Sequence, residues 1–231
     1  MLAVSLVDLL SGRSRAIHPM RIPTTPAAPP ARGFSLIELV VTLALLAILA
    51  VLAAPTMTDW RRNQGIRGTA EALQTGLQTA REEAVRRNRP VSFWLIQEAT
   101  LNNSCTLATS NQARGSWVVS VNNPAGKCAA ARSFTDAPML VASHEATDGV
   151  RIDATDADGD AINQITFNAY GRVAGGAMAA QIDIKDPSDM DSDGDDVYRS
   201  LRLIVSGMGS VHLCDPALDP DGDDPRRCPE P

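Results

Sequence analysis

The hydrophobic and polar positions divide the chain into distinct regimes. From residue 34 to residue 54 the sequence is apolar, interrupted only by Ser35, Glu38 and Thr42. As a helix rising 1.5 Å per residue this run would extend roughly 31 Å, close to the ~30 Å of a bilayer hydrocarbon core. Past Pro55 the apolar positions become periodic. Ile66, Ala70, Leu73, Leu77, Ala80 and Ala84 recur at alternating steps of four and three, the seam of an amphipathic helix. Glu71, Gln74, Gln78, Arg81, Glu82, Arg86 and Arg87 fill its other faces, and Pro90 stops the pattern, so the helix is predicted to run to about Asn88. Pro55 is expected to kink this helix rather than end it, because helical character resumes at once. Gly65, Gly68 and Gly76 lower its intrinsic stability, so packing must hold it.

Beyond residue 91 the pattern changes to short β-branched or alternating runs separated by Gly, Asn, Asp and Pro. Strands are predicted at 91–97, 117–121, 164–168, 181–185, 198–205 and 210–213. Ile182 and Ile184 alternate with Gln181, Asp183 and Lys185, as in a half-buried strand, and Gly207-Met208-Gly209 reads as the turn of a closing hairpin. The expected fold is α+β: one long N-terminal helix, apolar over 34–54 and amphipathic over 55–89, packed on a mainly antiparallel β-sheet formed within 91–231.

Composition narrows the function. The 231 residues carry 21 Lys+Arg against 27 Asp+Glu, a formal charge of −6, which argues against a generally basic nucleic-acid binder. Aromatic residues are few (3 Trp, 2 Tyr, 4 Phe), so the core must be largely aliphatic. A single long apolar run excludes a multi-span membrane protein. It is preceded by residues 1–33, which hold Arg13, Arg15, Arg21 and Arg32 against Asp8, with prolines at 23, 26, 29 and 30 that forbid a stable helix there. A cleaved secretory signal is the rival reading of this basic leader and apolar run. The length of the run, and the well-patterned helix that follows Pro55, count against it.

Where the leader meets the apolar run the sequence reads Arg32-Gly33-Phe34-Ser35-Leu36-Ile37-Glu38-Leu39-Val40. This resembles the processing site of type IV pilins and of type II secretion pseudopilins. The resemblance implies cleavage after Gly33 by a prepilin peptidase, methylation of the new Phe34 amine, insertion in the inner membrane with the C-terminal domain in the periplasm, and a bend at Pro55. It also implies partners: other pilins or pseudopilins, met through the N-terminal helix. The physics points the same way. An ionisable residue inside an apolar helix is costly and usually has a partner. Glu38 lies only ~6 Å along a helix from Phe34, so it can pair with the new amine, or with that of a neighbouring subunit.

The rest of the chain is similar to GspH/FimT-type minor pilins. The residues that carry this likeness are the helix ending at Arg86-Arg87-Asn88-Arg89-Pro90, the Trp117-Val118-Val119 strand, Ile165-Thr166-Phe167-Asn168 before Gly171-Arg172, and a strand ending at Cys214. Incorporation into a type IV pilus or type II secretion pseudopilus, or priming of its tip, is the implied role. Some relatives act as DNA receptors in transformation through Gly-Arg-x-Arg near the last hairpin. Here Gly209-Ser210-Val211-His212 lacks both arginines. Arg199, Arg202, Arg226 and Arg227 could touch phosphates, but neighbouring aspartates would repel a nucleic-acid backbone. A DNA-receptor pilin is therefore an alternative reading only.

Four cysteines, Cys105, Cys128, Cys214 and Cys228, all follow the apolar run, as expected of disulfides in an exported domain. Three pairings are possible; 105–128 with 214–228 closes the shortest loops. No pair has the C-x₂₋₄-C spacing of a zinc site. Asp-x-Asp-Gly-Asp recurs at 156–160, 191–195 and 219–223. The best candidate for a structural calcium ion is Asp189, Asp191, Asp193 and Asp195, which resembles the first half of an EF-hand loop but places Ser200 where the bidentate glutamate belongs. A membrane-anchored calcium module is thus a further alternative, and otherwise no cofactor is expected. Catalysis is not expected either, since Ser143-His144-Glu145 is too local to form a triad and no phosphate loop occurs.

Overall fold

A computed structural model describes residues 33–109, 112–146, 149–174, 179–188 and 198–229, with the backbone alone at 51–56, 58, 59 and 179. Contacts group the chain into two compact units, Met1–Ile48 and Leu49–Pro231. Among the described residues the elements are one helix, α1 (Leu36–Arg87), and eight strands: β1 (Val91–Leu95), β2 (Trp117–Ser120), β3 (Leu140–His144), β4 (Arg151–Thr155), β5 (Gln164–Phe167), β6 (Ala179–Lys185), β7 (Leu201–Ser206) and β8 (Val211–Cys214).

The long helix is continuous through Pro55, as the pattern predicts. Its end is set by local chemistry. Asn88 takes a left-handed conformation (φ 49°), its N–H bonds to the Val85 carbonyl, and the Arg89 N–H reaches back to the Ala84 carbonyl. Those paired bonds satisfy two otherwise orphaned carbonyls, and Pro90 cannot extend the helix further.

The strands form two antiparallel sheets rather than the single sheet expected: β3-β2-β1-β5 and β4-β6-β7-β8. Six strands coincide with predicted segments; β3 and β4 were not anticipated. The strand expected from residue 198 begins at Leu201, because the Arg199 N–H is taken by the Asn63 side-chain oxygen at 3.2 Å instead of a sheet neighbour.

Within Leu49–Pro231 the periodic positions Ile66, Ala70, Leu73, Leu77, Ala80 and Ala84 are all buried, in one core with Val91, Phe93, Trp117 and Val119 of the first sheet and Ile152, Ile182, Ile184, Leu203 and Val205 of the second. Each fully buried leucine or isoleucine contributes about 1.5–3 kcal/mol relative to an exposed one, which outweighs the weak intrinsic propensity of a glycine-bearing helix. Gly76 sets the closest approach, since a Cβ there would stand 2.7 Å from Phe93 Cε2 and 2.9 Å from Trp117 Cε2. A second apolar cluster of Trp94, Ile96, Cys105, Val118, Cys128 and Leu140 lies on the other side of the first sheet.

One junction ties the helix to the ends of both sheets. Arg81 Nε donates to the Gly171 carbonyl at 3.1 Å, the Val173 N–H donates to the Gly207 carbonyl at 3.1 Å, and Gly209 lies against Gly171. The β7–β8 turn closes through the Gly209 N–H to the Ser206 carbonyl at 2.8 Å, with Gly209 at φ +80°. A side chain there would be strained by backbone conformation and would collide with the Gly171 carbonyl.

Candidate assembly site

Gly33 and Phe34 precede the helix, and Phe34 is 86% exposed. The Ser35 carbonyl accepts the Leu39 N–H at 3.1 Å, closing the first turn. Glu38 sits in that turn, where a carboxylate interacts favourably with the positive end of the helix dipole. Every large apolar side chain from Leu36 through Leu49 is at least half exposed, on all faces of the helix. The Thr42 hydroxyl is satisfied internally by the Leu39 carbonyl at 2.9 Å. Glu38 is therefore the one charged side chain on this segment, and it has no ion-pair or hydrogen-bond partner among the described residues. A helix that is hydrophobic all round requires an apolar surrounding, either lipid or other helices.

Among the described residues, no helix is long and apolar enough to cross a membrane. The predicted span of 34–54 includes residues 51–56, whose side chains lie outside those described.

The four cysteines form two disulfides. Cys105–Cys128 links the loop after β1 to the loop after β2, within the second apolar cluster. Cys214–Cys228 ties the C-terminal tail to the end of β8, and the tail also pairs there through Asp215 N–H to the Arg226 carbonyl at 2.8 Å.

The acidic turns have different fates. Asp189, Asp191, Asp193 and Asp195 lie outside the described residues. In the first repeat, Asp156 Oδ1 accepts the N–H groups of Asp158 (3.0 Å) and Asp160 (2.9 Å), so this carboxylate closes its own turn. Asp219 Oδ1 does the same for the Asp221 N–H at 3.0 Å. Among the described residues, no group of three or more histidines, cysteines or carboxylates is placed to hold a metal ion.

The arginines considered for phosphate contacts are engaged within the chain. Arg202 binds Asp183 (2.5 Å), Arg199 binds Asp215 (3.2 Å), Arg226 binds Asp224 (2.7 Å), and Arg227 donates to the Pro220 carbonyl. The Arg226 guanidinium holds the Asp224 carboxyl down at about 2. Similarly, hydrogen bonds from Arg86, then Arg87, hold Glu83 below its ordinary value. The Ser143-His144-Glu145 segment is structural: the His144 ring stacks on Trp117 at 5.7 Å, while Glu145 Oε1 accepts the Leu101 N–H at 3.0 Å.

Sequence reasoning missed three exposed side chains at the end of the Leu49–Pro231 unit where α1 stops: Phe134 (69%), Tyr170 (86%) and Met208 (61%). A lone aromatic in a turn carries no periodic signal. The available hints were two glycine-bearing turns, Asn168-Ala169-Tyr170-Gly171 and Gly207-Met208-Gly209, which mark loop tips but not what they expose.

The family described as type II transport protein GspH matches residues 69–209, and the prokaryotic N-terminal methylation motif matches residues 29–54. Similar solved structures include the type IV minor pilin FimU of Pseudomonas aeruginosa (19% identity, 70% of this chain and 96% of that one, TM-score 0.45). Others are the minor pseudopilin EpsH of the Vibrio cholerae type 2 secretion system (14%, 67% and 99%, 0.40) and Escherichia coli GspH (15%, 70% and 94%, 0.38). No curated protein matches the sequence significantly. The GspH match spans more than half of the chain and lies C-terminal to the methylation motif, so this protein belongs to the family described as type II transport protein GspH.

Proposed function

We propose that the chain is a non-enzymatic subunit, cleaved between Gly33 and Phe34 by a prepilin peptidase, held in the inner membrane by residues 34–54, and assembled into a type IV pilus or type II secretion pseudopilus, where its head caps or primes the tip. The observation that carries this reading is the exposed apolar stretch of α1 from Leu36 to Leu49, which begins beside Phe34 and bears one charge, Glu38. Cleavage creates a cationic amine on Phe34, about one helical turn from that carboxylate. In lipid an unpaired Glu38 is costly; against the Phe34 amine of an adjacent subunit it is compensated, and the pair fixes the axial position of one helix on the next.

The reading is tested by surface pilus abundance and type II secretion in a strain lacking the protein, complemented by wild type or by Glu38→Gln. Wild type restores whichever function is lost, whereas Glu38→Gln is membrane-inserted but fails to restore it. Unimpaired pili and secretion in the deletion strain, or full rescue by Glu38→Gln, would contradict the proposal.

A further inference from the structure

Within the Leu49–Pro231 unit, a cavity of about 270 Å³ lies between α1 and the ends of β7 and β8. Its walls include Asn63, Gln64 and Arg67 of α1, Arg199 just before β7, and Asp215 and Arg226 of the tail. Asp215 is the one carboxylate among the lining residues, and both its oxygens are occupied. Oδ2 takes the Arg199 guanidinium at 3.2 Å and Oδ1 the Ala217 N–H at 3.1 Å. Arg226 is paired with Asp224 at 2.7 Å. Arg67 has no ion-pair or hydrogen-bond partner among the described residues. These residues therefore leave one positive charge uncompensated. The paired guanidiniums keep further N–H donors, and Asn63, whose Oδ1 accepts the Arg199 N–H, keeps its amide donors.

On its N-terminal side the same face of α1 turns apolar. Met57, Trp60, Gln64 and Arg67 follow at steps of three, four and three, so they share one face of the helix. Met57 and Trp60 are 51% and 57% exposed. The helix continues without a break from the last residues of the apolar run, 49–54, to this face. Gln64 stands ~6 Å and Arg67 ~10 Å along the axis past Trp60. Tryptophan is enriched at membrane–water interfaces, and the headgroup layer adds roughly 5–7 Å to each side of the hydrocarbon. Helix side chains lean toward the N-terminus, which brings the Arg67 donors back toward that layer.

We propose that this cavity holds the phosphate of an anionic phospholipid, whose acyl chains run past Trp60 and Met57 toward the bilayer. A phosphodiester carries one negative charge, which matches the one left uncompensated, and its oxygens accept from arginine and amide donors. The cavity takes one monoanion. A polyanionic strand would also meet the exposed Asp219, Asp221 and Asp223 of the tail. The bound lipid holds the Leu49–Pro231 unit at the membrane surface before assembly. This inference rests on the reading of residues 34–54 as a membrane anchor and names the lipid that the anchored subunit engages.

The test is lipid titration of the full chain in non-ionic detergent micelles, read by native mass spectrometry. Phosphatidylglycerol is expected to bind saturably, at least ~10-fold more tightly than phosphatidylcholine, whose quaternary ammonium the arginines repel. Arg67→Gln alone, and Met57→Ser with Trp60→Ser, alter exposed side chains, and each should weaken binding at least ~10-fold. Arg61→Gln removes an exposed arginine of the same helix that does not line the cavity, and it should leave binding unchanged. Glycerophosphoglycerol, the same headgroup without acyl chains, should bind at least ~10-fold more weakly than the lipid. Absence of a saturable site, or binding that survives Arg67→Gln, overturns the proposal. An equal loss with Arg61→Gln overturns it in favour of unspecific surface charge, and equal binding of glycerophosphoglycerol overturns it in favour of a free-anion site. The protein is purified and unassembled, so these outcomes do not depend on pili or secretion, whereas a failure of the anchor reading would appear as a chain soluble without detergent.

Discussion

Gly76 sets two single-residue effects against each other. Replacing a mid-helix glycine by alanine ordinarily gains about 1 kcal/mol of helix propensity. Here the added carbon would stand 2.7 Å from Phe93 and 2.9 Å from Trp117, both rigid and buried, and overpacking of that kind costs about 1–3 kcal/mol. Gly76→Ala is therefore expected to lower stability by about 1 kcal/mol, read as a reduced denaturation midpoint of the full chain in detergent. An increase would mean that the helix can move off the sheet. Asp224 gives a pH-dependent case. Its carboxyl is held at about 2 instead of 3.8, first by the Arg226 side chain, so the contribution of this pair is present above pH 3.8 and is lost as pH falls toward 2. Carbon-detected titration should place its midpoint near 2, and Arg226→Gln should return it toward 3.8. At this scale the sequence disclosed which residues were unusual, such as a helical glycine and an Asp-rich tail. It did not disclose their partners, because Gly76 meets Phe93 and Trp117 only through tertiary packing.

Among the elements, α1 was the most legible. Its apolar seam at 66, 70, 73, 77, 80 and 84 is the buried face, and the stop at Pro90 agrees with a helix ending at Arg87. Strands β3 and β4 were not legible, for separate reasons. In β3 only Leu140 is fully buried, and the remaining positions are half-exposed, so no alternation marks it. In β4 the outward positions form an Arg151–Asp153 ion pair at 2.8 Å, which reads as a polar turn when seen in sequence alone. The division into two sheets was equally hidden, since alternation tells which face of a strand is buried and not which strand lies beside it. Two connections can be tested as elements. Arg62 lies 3.1 Å from the buried Asp186 and 4.8 Å from the centre of the Tyr198 ring. Arg62→Ala removes the charged donor of the buried Asp186 and leaves the Ser188 donors in place, and it is expected to cost about 1–3 kcal/mol, measured as for Gly76. The Cys214–Cys228 bridge closes a 14-residue separation, so Cys214→Ser with Cys228→Ser should cost about 2–4 kcal/mol and open the tail to limited proteolysis. Retained protease resistance would show that the Asp215 pairing holds the tail without the bridge.

For the whole molecule, the division of labour follows from where apolar surface is covered. Within Leu49–Pro231 the helix seam and both sheets bury their apolar faces in a common core. From Phe34 to Leu49 they remain exposed, so this segment is completed only by lipid or by other helices. That demand, with a lone carboxylate in the first turn of α1, is the basis for proposing an assembling subunit; Arg199, Arg202 and Arg226 are paired with aspartates, and the His144 ring packs on Trp117. The central claim is processing at Gly33. Intact-mass and N-terminal analysis of the protein isolated from membranes of cells that contain a prepilin peptidase tests it most directly. A chain beginning at a methylated Phe34 is the predicted result; a chain that retains the residues up to Gly33, or is cut after the apolar run, would contradict the account.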